Sequence, residues 1–151
     1  MTTKVPAVMQ SADGAPAVRA TSTAIAIPTG TGSATPFEVY GAPQFDPTDA
    51  LDLLTGRFTP DVAGWYQVNA TVDYTANSLT ATHVGAQIRK NGVVHAASIT
   101  GASGAAIRLG VSDLIYLNGS TDYVDVATLH NAAGSAVNVT ATLSAILVRA
   151  A

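Results

Sequence analysis

Apolar and polar residues alternate with a period of two along several segments, and this alternation limits the possible folds more than any other feature. It is clearest in residues 65–74 and again in residues 137–147. A period of two places successive side chains on opposite faces of an extended strand, one face buried and one polar. No segment has a convincing helical period, and residues 48–54 allow one helical turn at most. The predicted buried positions are Tyr66, Val68, Ala70, Val72 and Tyr74 in the first segment, and Val137, Val139, Ala141, Leu143, Ala145 and Leu147 in the last.

Turn signals divide the rest of the chain into further short strands. Asn91-Gly92 separates two alternating segments, and both positions of a type I′ hairpin turn need a positive φ, which Asn and Gly tolerate. Another predicted strand, over residues 107–117, is broken at Ser112-Asp113. About eight short strands, spaced roughly 8 to 12 residues apart, indicate an antiparallel sandwich or barrel, with a jelly roll as the leading candidate. The remaining strands are predicted at residues 21–27, 37–40 and 123–130.

The composition favours an ordered chain that is partly covered by other proteins. Charged residues make up 11% of the sequence, against about 25% in typical domains, while 48% of the residues are hydrophobic. A chain with so little charge needs cover for part of its surface, and contacts between subunits are the simplest cover. The net charge of -3 comes from scattered residues with no basic cluster, so we expect no binding to nucleic acid.

Several classes of chemistry are excluded or disfavoured by the sequence. There is no cysteine, which excludes disulfides, thiolate zinc sites and cysteine nucleophiles. No signal peptide or apolar run of about 18 residues is present, so we expect synthesis in a host cytoplasm and no membrane partner. No catalytic or phosphate-binding motif occurs, and we expect neither an enzyme nor a bound cofactor.

The N-terminal residues differ in character from the rest. Residues 1–20 are rich in Ala, Pro, Ser and Thr and have no sustained period, which predicts an extended arm. The predicted organisation is therefore an arm over residues 1–20, used for attachment or assembly, followed by a head over residues 21–151. The apolar arm residues proposed to make the attachment are Val5, Pro6, Val8, Met9 and Val18.

Four short motifs occur in an order that resembles a known family. Gly56-Arg57-Phe58 followed by Gly64-Trp65-Tyr66 is similar to the Gly-x-Phe and Gly-x-Tyr signature of the globular-head domains of complement and their tumour-necrosis-factor-like relatives. Residues 88–92, 115–124 and 144–148 resemble the family's Asn-Gly hairpin, its Leu-x-x-Gly-Asp-x-Val turn and its final strand. The likeness covers roughly residues 35–151. It departs at the family's Gly-Asp pair, which is interrupted here by two residues, and no collagen-like stalk precedes the head.

The resemblance implies a ten-stranded jelly roll that forms a tight homotrimer, with aromatic and aliphatic side chains meeting at the threefold axis. A head without stalk or cysteine, carrying an adhesive arm, is similar to bacteriophage virion proteins. We therefore expect a capsid decoration or cement protein on the virion surface, bound to the major capsid protein or another virion protein. The alternative is a fibre head that recognises a bacterial surface glycan through residues 77–82 and 99–104.

The aromatic residues are the candidates for the subunit interface. Trp65 stands in the polar phase of its strand, where an aromatic ring anchors either a subunit contact or a stacked sugar, and we favour the subunit contact. The proposed interface residues are Trp65, Tyr66, Tyr74 and Tyr123.

Two groups of residues are candidates for metal ligands. His83, His95 and His130 lie on different predicted strands and lack partners at metal-site spacing, so we expect ordinary polar residues of strands. Asp46, Asp49 and Asp52 recur every three residues, which differs from the alternate-residue ligands of calcium loops, so we expect a solvated acidic loop. No metal site is predicted.

Overall fold

The computed structural model describes residues 14–27, 34–74, 83–101, 106–131 and 137–151. Within these ranges the chain forms eleven β-strands and no helix. The strands are β1 (Ala17–Thr21), β2 (Ile25–Ile27), β3 (Thr35–Pro36), β4 (Leu51–Asp52), β5 (Arg57–Phe58), β6 (Ala63–Tyr74), β7 (His83–Lys90), β8 (Val93–Gly101), β9 (Ile107–Asn118), β10 (Val124–His130) and β11 (Val137–Ala150).

These strands form two sheets that enclose one core. The first sheet has the order β1-β11-β6-β9, and β2 also pairs with β11. The second sheet has the order β4-β5-β10-β7-β8, and β3 also pairs with β10. All pairings between these strands are antiparallel, and the first strand lies beside the last. The prediction of an all-β antiparallel jelly-roll sandwich is confirmed.

The core includes the side chains of β6 and β11 that the alternation predicted to be buried. On β6, Tyr66, Val68 and Val72 are 0% exposed. On β11, the apolar residues from Val137 to Ala145 are buried at every second position, and Leu147 packs against them. The two longest alternating segments therefore supply the inner face of the first sheet, as their pattern predicted.

Three details of the strand prediction are wrong. Residues 21–27 are not one strand, since β1 ends at Thr21 and β2 begins at Ile25. β9 continues through Ser112 and Asp113 without a break, because a ladder of backbone hydrogen bonds does not depend on the polarity of the side chains. Residues 37–40 form no strand. Phe37 instead donates its amide to the carbonyl of Val126 at 2.9 Å and buries its ring.

The Asn-Gly turn joins β7 to β8, as predicted. Asn91 has a φ of 53° and Gly92 a φ of 79°, which are the left-handed values that a type I′ turn requires. The Asn91 side chain also accepts a hydrogen bond from the amide of Tyr123 at 3.0 Å. The turn is thereby tied to the beginning of β10.

The boundary predicted between arm and head must be corrected. Residues 17–20 belong to β1, which pairs with β11 along its full length. Val18 is 2% exposed and packs in the core, so it is not available for attachment. The short run of β1 contains three small or hydroxylated residues and shows no alternation, which is why its pairing was not visible in the sequence. Val5, Pro6, Val8 and Met9, the other predicted attachment residues, lie outside the described residues.

Candidate interaction surface

The outer face of the first sheet carries a group of exposed apolar side chains at one end. Trp65 on β6 is paired with Tyr116 on β9, and their rings meet edge to face with centroids 5.7 Å apart. Leu114 on β9 and Ile146 on β11 stand on either side of Gln67, the next outward residue of β6 after Trp65. We call this group the apolar patch: Trp65, Leu114, Tyr116, Ile146 and Val148, with exposed fractions of 44%, 44%, 38%, 52% and 58%.

The apolar patch is contiguous rather than scattered. A depression of about 290 Å³ lies among Trp65, Leu114, Val148 and the neighbouring Arg149. Single exposed apolar residues are ordinary on protein surfaces, whereas contiguous groups mark sites of contact with other molecules. Tryptophan and tyrosine at the centre of such a group are typical of binding interfaces.

Two of the four predicted interface residues are buried in the core. Tyr66 and Tyr74 are 0% and 1% exposed, because they share the inward phase of β6 with its core valines. The Tyr66 ring packs edge to face on Phe58, and its hydroxyl donates to the carbonyl of Val62 at 2.6 Å. These two tyrosines are core residues of a single chain. Their aromatic character suggested an interface, but the phase of their strand decides against it.

Tyr123 is half-buried just before β10. The Arg57 guanidinium lies 4.4 Å from the centre of its ring, in a cation–π arrangement. Tyr123 is not among the residues of the apolar patch. Its predicted role in subunit contact stays a prediction.

The rim of the apolar patch is held by a turn between β9 and β10. The side-chain oxygen of Asn118 accepts hydrogen bonds from the amides of residues 120–122. Lys90 pairs with Asp122 at 2.8 Å and donates to the carbonyl oxygen of Tyr116, also at 2.8 Å. The Lys90 ammonium lowers the pKa of Asp122. The Asn118 side chain thereby holds Ser120 and Thr121, the two residues that separate Gly119 from Asp122.

The opposite end of the same face is polar. It contains a shallow cavity of about 380 Å³, which we call the polar basin. Asp73 on β6 and Arg108 on β9 are paired in the sheet and both line the basin. Their side chains form a bidentate ion pair, with 3.1 Å between Arg108 Nη2 and Asp73 Oδ2. The carboxylate of Asp73 raises the pKa of Arg108. The residues that line the basin are Arg19, Asn69, Ala70, Thr71, Asp73, Arg108, Thr142 and Ser144.

The three histidines do not converge. His95 on β8 pairs with Asp113 on β9, with 2.9 Å between His95 Nδ1 and Asp113 Oδ2. His130 is fully buried on β10, and His83 is at the start of β7. In the part of the chain that the structure describes, no three His, Cys, Asp or Glu side chains are grouped so that they could hold a metal ion.

The spaced aspartates order a turn. The Asp46 carboxylate accepts the amides of Ala50 and Leu51 at 3.0 and 2.9 Å. The Asp52 carboxylate accepts the amide of Leu54 and the hydroxyl of Thr55, at 2.9 and 2.8 Å, and these bonds lower its pKa. Both carboxylates bond to their own loop.

The loops proposed for glycan recognition are described only in part. Residues 77–82 and 102–104 lie outside the described residues, and residues 99–101 form the end of β8. No helix among the described residues is long and apolar enough to cross a membrane.

Solved structures with the same architecture come from two different settings. The globular domain of zebrafish complement 1qA protein matches with a TM-score of 0.68 at 15% identity, covering 90% of this chain and 99% of that one. The PRD1 vertex protein P5, a phage protein, matches with a TM-score of 0.67 at 18% identity, covering 89% of this chain and 98% of that one. No family model matches the sequence, and no curated protein sequence matches it.

The chain therefore has the jelly-roll fold of the complement globular-head and tumour-necrosis-factor-like domains, and this part of the prediction is confirmed. At these identities the likeness concerns the fold alone. In this fold, the outer face of β1, β11, β6 and β9 carries the apolar patch at one end and the polar basin at the other.

Proposed function

We propose that this chain is a non-enzymatic virion structural protein, a homotrimeric decoration protein that binds and stabilises a phage head shell. The observation that carries the proposal is the apolar patch on the outer face of the first sheet. Its five large side chains each keep between 38% and 58% of their surface exposed in the single chain. A second copy of the chain is the simplest cover for such a face in a protein with so few charges.

The energetics favour self-association through the apolar patch. Complete burial of one large apolar side chain contributes about 1.5–3 kcal/mol, so covering the exposed half of five side chains contributes on the order of 5 kcal/mol per copy. A closed ring of three copies forms three such contacts. The virion setting is supported by the fold that the chain shares with a phage protein named as a vertex protein.

Attachment is assigned to the residues that precede β1. Three heads in one trimer present three N-terminal segments to neighbouring capsid subunits. Once the first segment is bound, the others bind intramolecularly at a high effective concentration, so three weak contacts act as a strong one. A trimer held in this way clamps adjacent capsid subunits together.

Two leucines provide a matched test of self-association. Leu114→Glu places a charge in the apolar patch, whereas Leu54→Glu makes the same change at a side chain that is 79% exposed in a turn. Native mass spectrometry should report three chains for the wild type and for Leu54→Glu, and one chain for Leu114→Glu. Circular dichroism checks that both variants are folded. A monomeric wild type, or a trimeric Leu114→Glu protein, would overturn the role of the patch.

Attachment is tested by a deletion that stops before the first sheet. Removal of residues 2–13 leaves β1 intact, whereas removal to residue 20 would take four residues from the sheet. The shortened protein should remain a trimer and lose binding to purified phage particles in a sedimentation assay. Undiminished binding would exclude these residues as the attachment element.

A further inference from the structure

The polar basin brings together outward side chains from four strands of the first sheet, β1, β11, β6 and β9. Thr71 on β6 is paired with Gly110 on β9 and with Thr142 on β11, and Arg19 on β1 is paired with Ser144 on β11. A second depression, of about 280 Å³, adjoins Thr71 on the β9 side, where no atom lies within 4 Å of the position that a Cβ on Gly110 would occupy. The basin is therefore a recess in the face, bordered by hydroxyl groups.

The basin is rich in hydrogen-bond donors. Arg108 is neutralised and held by Asp73, but no carboxylate pairs with Arg19 among the described residues. The side-chain oxygen of Asn69 accepts from the Gln67 amide group at 3.4 Å, which leaves the Asn69 amide group available as a donor. Two arginines and one aspartate make the basin positive by one charge, in a chain whose net charge is -3.

We infer that the polar basin binds a small hydroxylated molecule that carries a carboxylate, such as a hexuronic acid. A guanidinium binds a carboxylate through two parallel hydrogen bonds, and Arg19 is the group placed to do this. Hydroxyl groups both donate and accept, so Thr71, Thr142 and Ser144 match the hydroxyls of a sugar ring. A volume of about 380 Å³ falls within the usual range of small-molecule sites.

The site is separate from the surface proposed for self-association. Thr71 is six positions beyond Trp65 on β6, which corresponds to about 20 Å along a strand. The nearest edges of the two surfaces are Ile146 and Ser144, two positions apart on β11, and Thr71 and Arg108 lie farther from the patch. The inference goes beyond the proposed function and does not depend on it.

The test is a titration of the full-length protein with sodium glucuronate, followed by the amide and guanidinium signals in NMR spectra. Sodium chloride keeps the ionic strength constant, and glucose is the uncharged comparison. Signals of Arg19, Thr71 and Thr142 should move with glucuronate and not with glucose, and inorganic phosphate should compete. Added salt should weaken the binding, because an exposed charge pair is screened.

Substitutions of arginine locate the site. Arg19→Ala and Arg19→Gln should each weaken glucuronate binding at least about tenfold, since a charge-assisted hydrogen bond is lost. Arg57→Ala removes an exposed arginine from β5 in the other sheet and should leave the affinity unchanged. Equal shifts with glucose, or unchanged affinity in both Arg19 variants with well-dispersed spectra, would overturn the inference.

The outcome can be separated from that of the proposed function. The Arg19→Ala protein should keep the oligomeric mass of the wild type. The Leu114→Glu protein should still bind glucuronate, whether or not the substitution changes its mass.

Discussion

The hydroxyl group of Tyr74 connects the two sheets through the core, and its removal tests the importance of this connection. Tyr74 is on β6 in the first sheet, and its oxygen lies 2.8 Å from the carbonyl oxygen of Gly85 and 3.0 Å from that of Leu129, both in the second sheet. It also accepts the Gly85 amide at 3.1 Å and contacts the Thr128 hydroxyl. The side chain is 1% exposed, so no water can replace these bonds without a rearrangement.

Tyr74→Phe should lower the free energy of unfolding by about 2 kcal/mol. A buried hydrogen bond contributes about 1 kcal/mol, and a buried polar group left without its partner costs about 1–3 kcal/mol. For a domain of this size, a loss of 2 kcal/mol lowers the melting temperature by roughly 4–8 °C. The measurement is urea unfolding followed by circular dichroism at a fixed protein concentration, since self-association makes stability concentration-dependent.

Tyr123→Phe is the matched control. It makes the same chemical change at a half-buried tyrosine whose hydroxyl forms no hydrogen bond among the described residues. This variant should unfold within about 0.5 kcal/mol of the wild type. If the two variants lose equal stability, or if Tyr74→Phe loses none, the connection through the Tyr74 hydroxyl is not what holds the sheets together.

Three further predictions concern the stability of the fold. Gly64→Ala should destabilise the protein by more than about 2 kcal/mol in a thermal melt, because the new Cβ would lie 2.4 Å from a backbone oxygen of β11. Gly110→Ala is the control: its Cβ would meet no atom within 4 Å, so its melting temperature should equal that of the wild type. Burial raises the pKa of Tyr66 to about 12. Above about pH 10 this tyrosine therefore ionises in the unfolded chain before it ionises in the folded one, which stabilises the unfolded chain. The urea concentration at the midpoint of unfolding should fall as the pH rises, and a constant midpoint would contradict this. Arg89 and Asp125 form a bidentate pair at 2.6 and 2.8 Å, with Asp125 2% exposed. Asp125→Ala should cost about 3–5 kcal/mol, and a double-mutant cycle with Arg89→Met should show that most of this cost comes from the unpaired guanidinium.

Local pattern was sufficient for a large part of the fold. The alternation in β6 and β11 predicted which side chains are buried, because the two faces of a strand are fixed by backbone geometry alone. Asn91-Gly92 predicted its hairpin for the same kind of reason, since the turn depends on the φ values of two adjacent residues. The resemblance of the Gly-x-Tyr motif to a known family also held at the level of the fold. Gly64 of that motif is required because β11 passes too close for a side chain.

Other features depend on which strands become neighbours, and no single segment contains that information. β1 falls largely within the predicted arm because its own residues carry little pattern, and only its pairing with β11 makes Val18 a core residue. Tyr66 differs from Val18, because the alternation in its own segment already predicts burial, and its residue type alone suggested an interface. A residue's type does not reveal which of two faces will meet a second sheet.

The candidate surfaces illustrate the same division. The sequence by itself determined that the chain is a charge-poor β sandwich and that Trp65 occupies an outward position, since composition and periodicity are local properties. Only the tertiary structure decided that Tyr116 lies beside Trp65 and that Ile146 lies beside the next outward residue, Gln67. Strand order and register bring together residues about 50 and 80 positions away along the chain. The same register gathers Arg19 and Thr71 at the far end of that face. Surfaces of this kind arise from pairing between distant strands, and so they become visible only when the sheet is assembled.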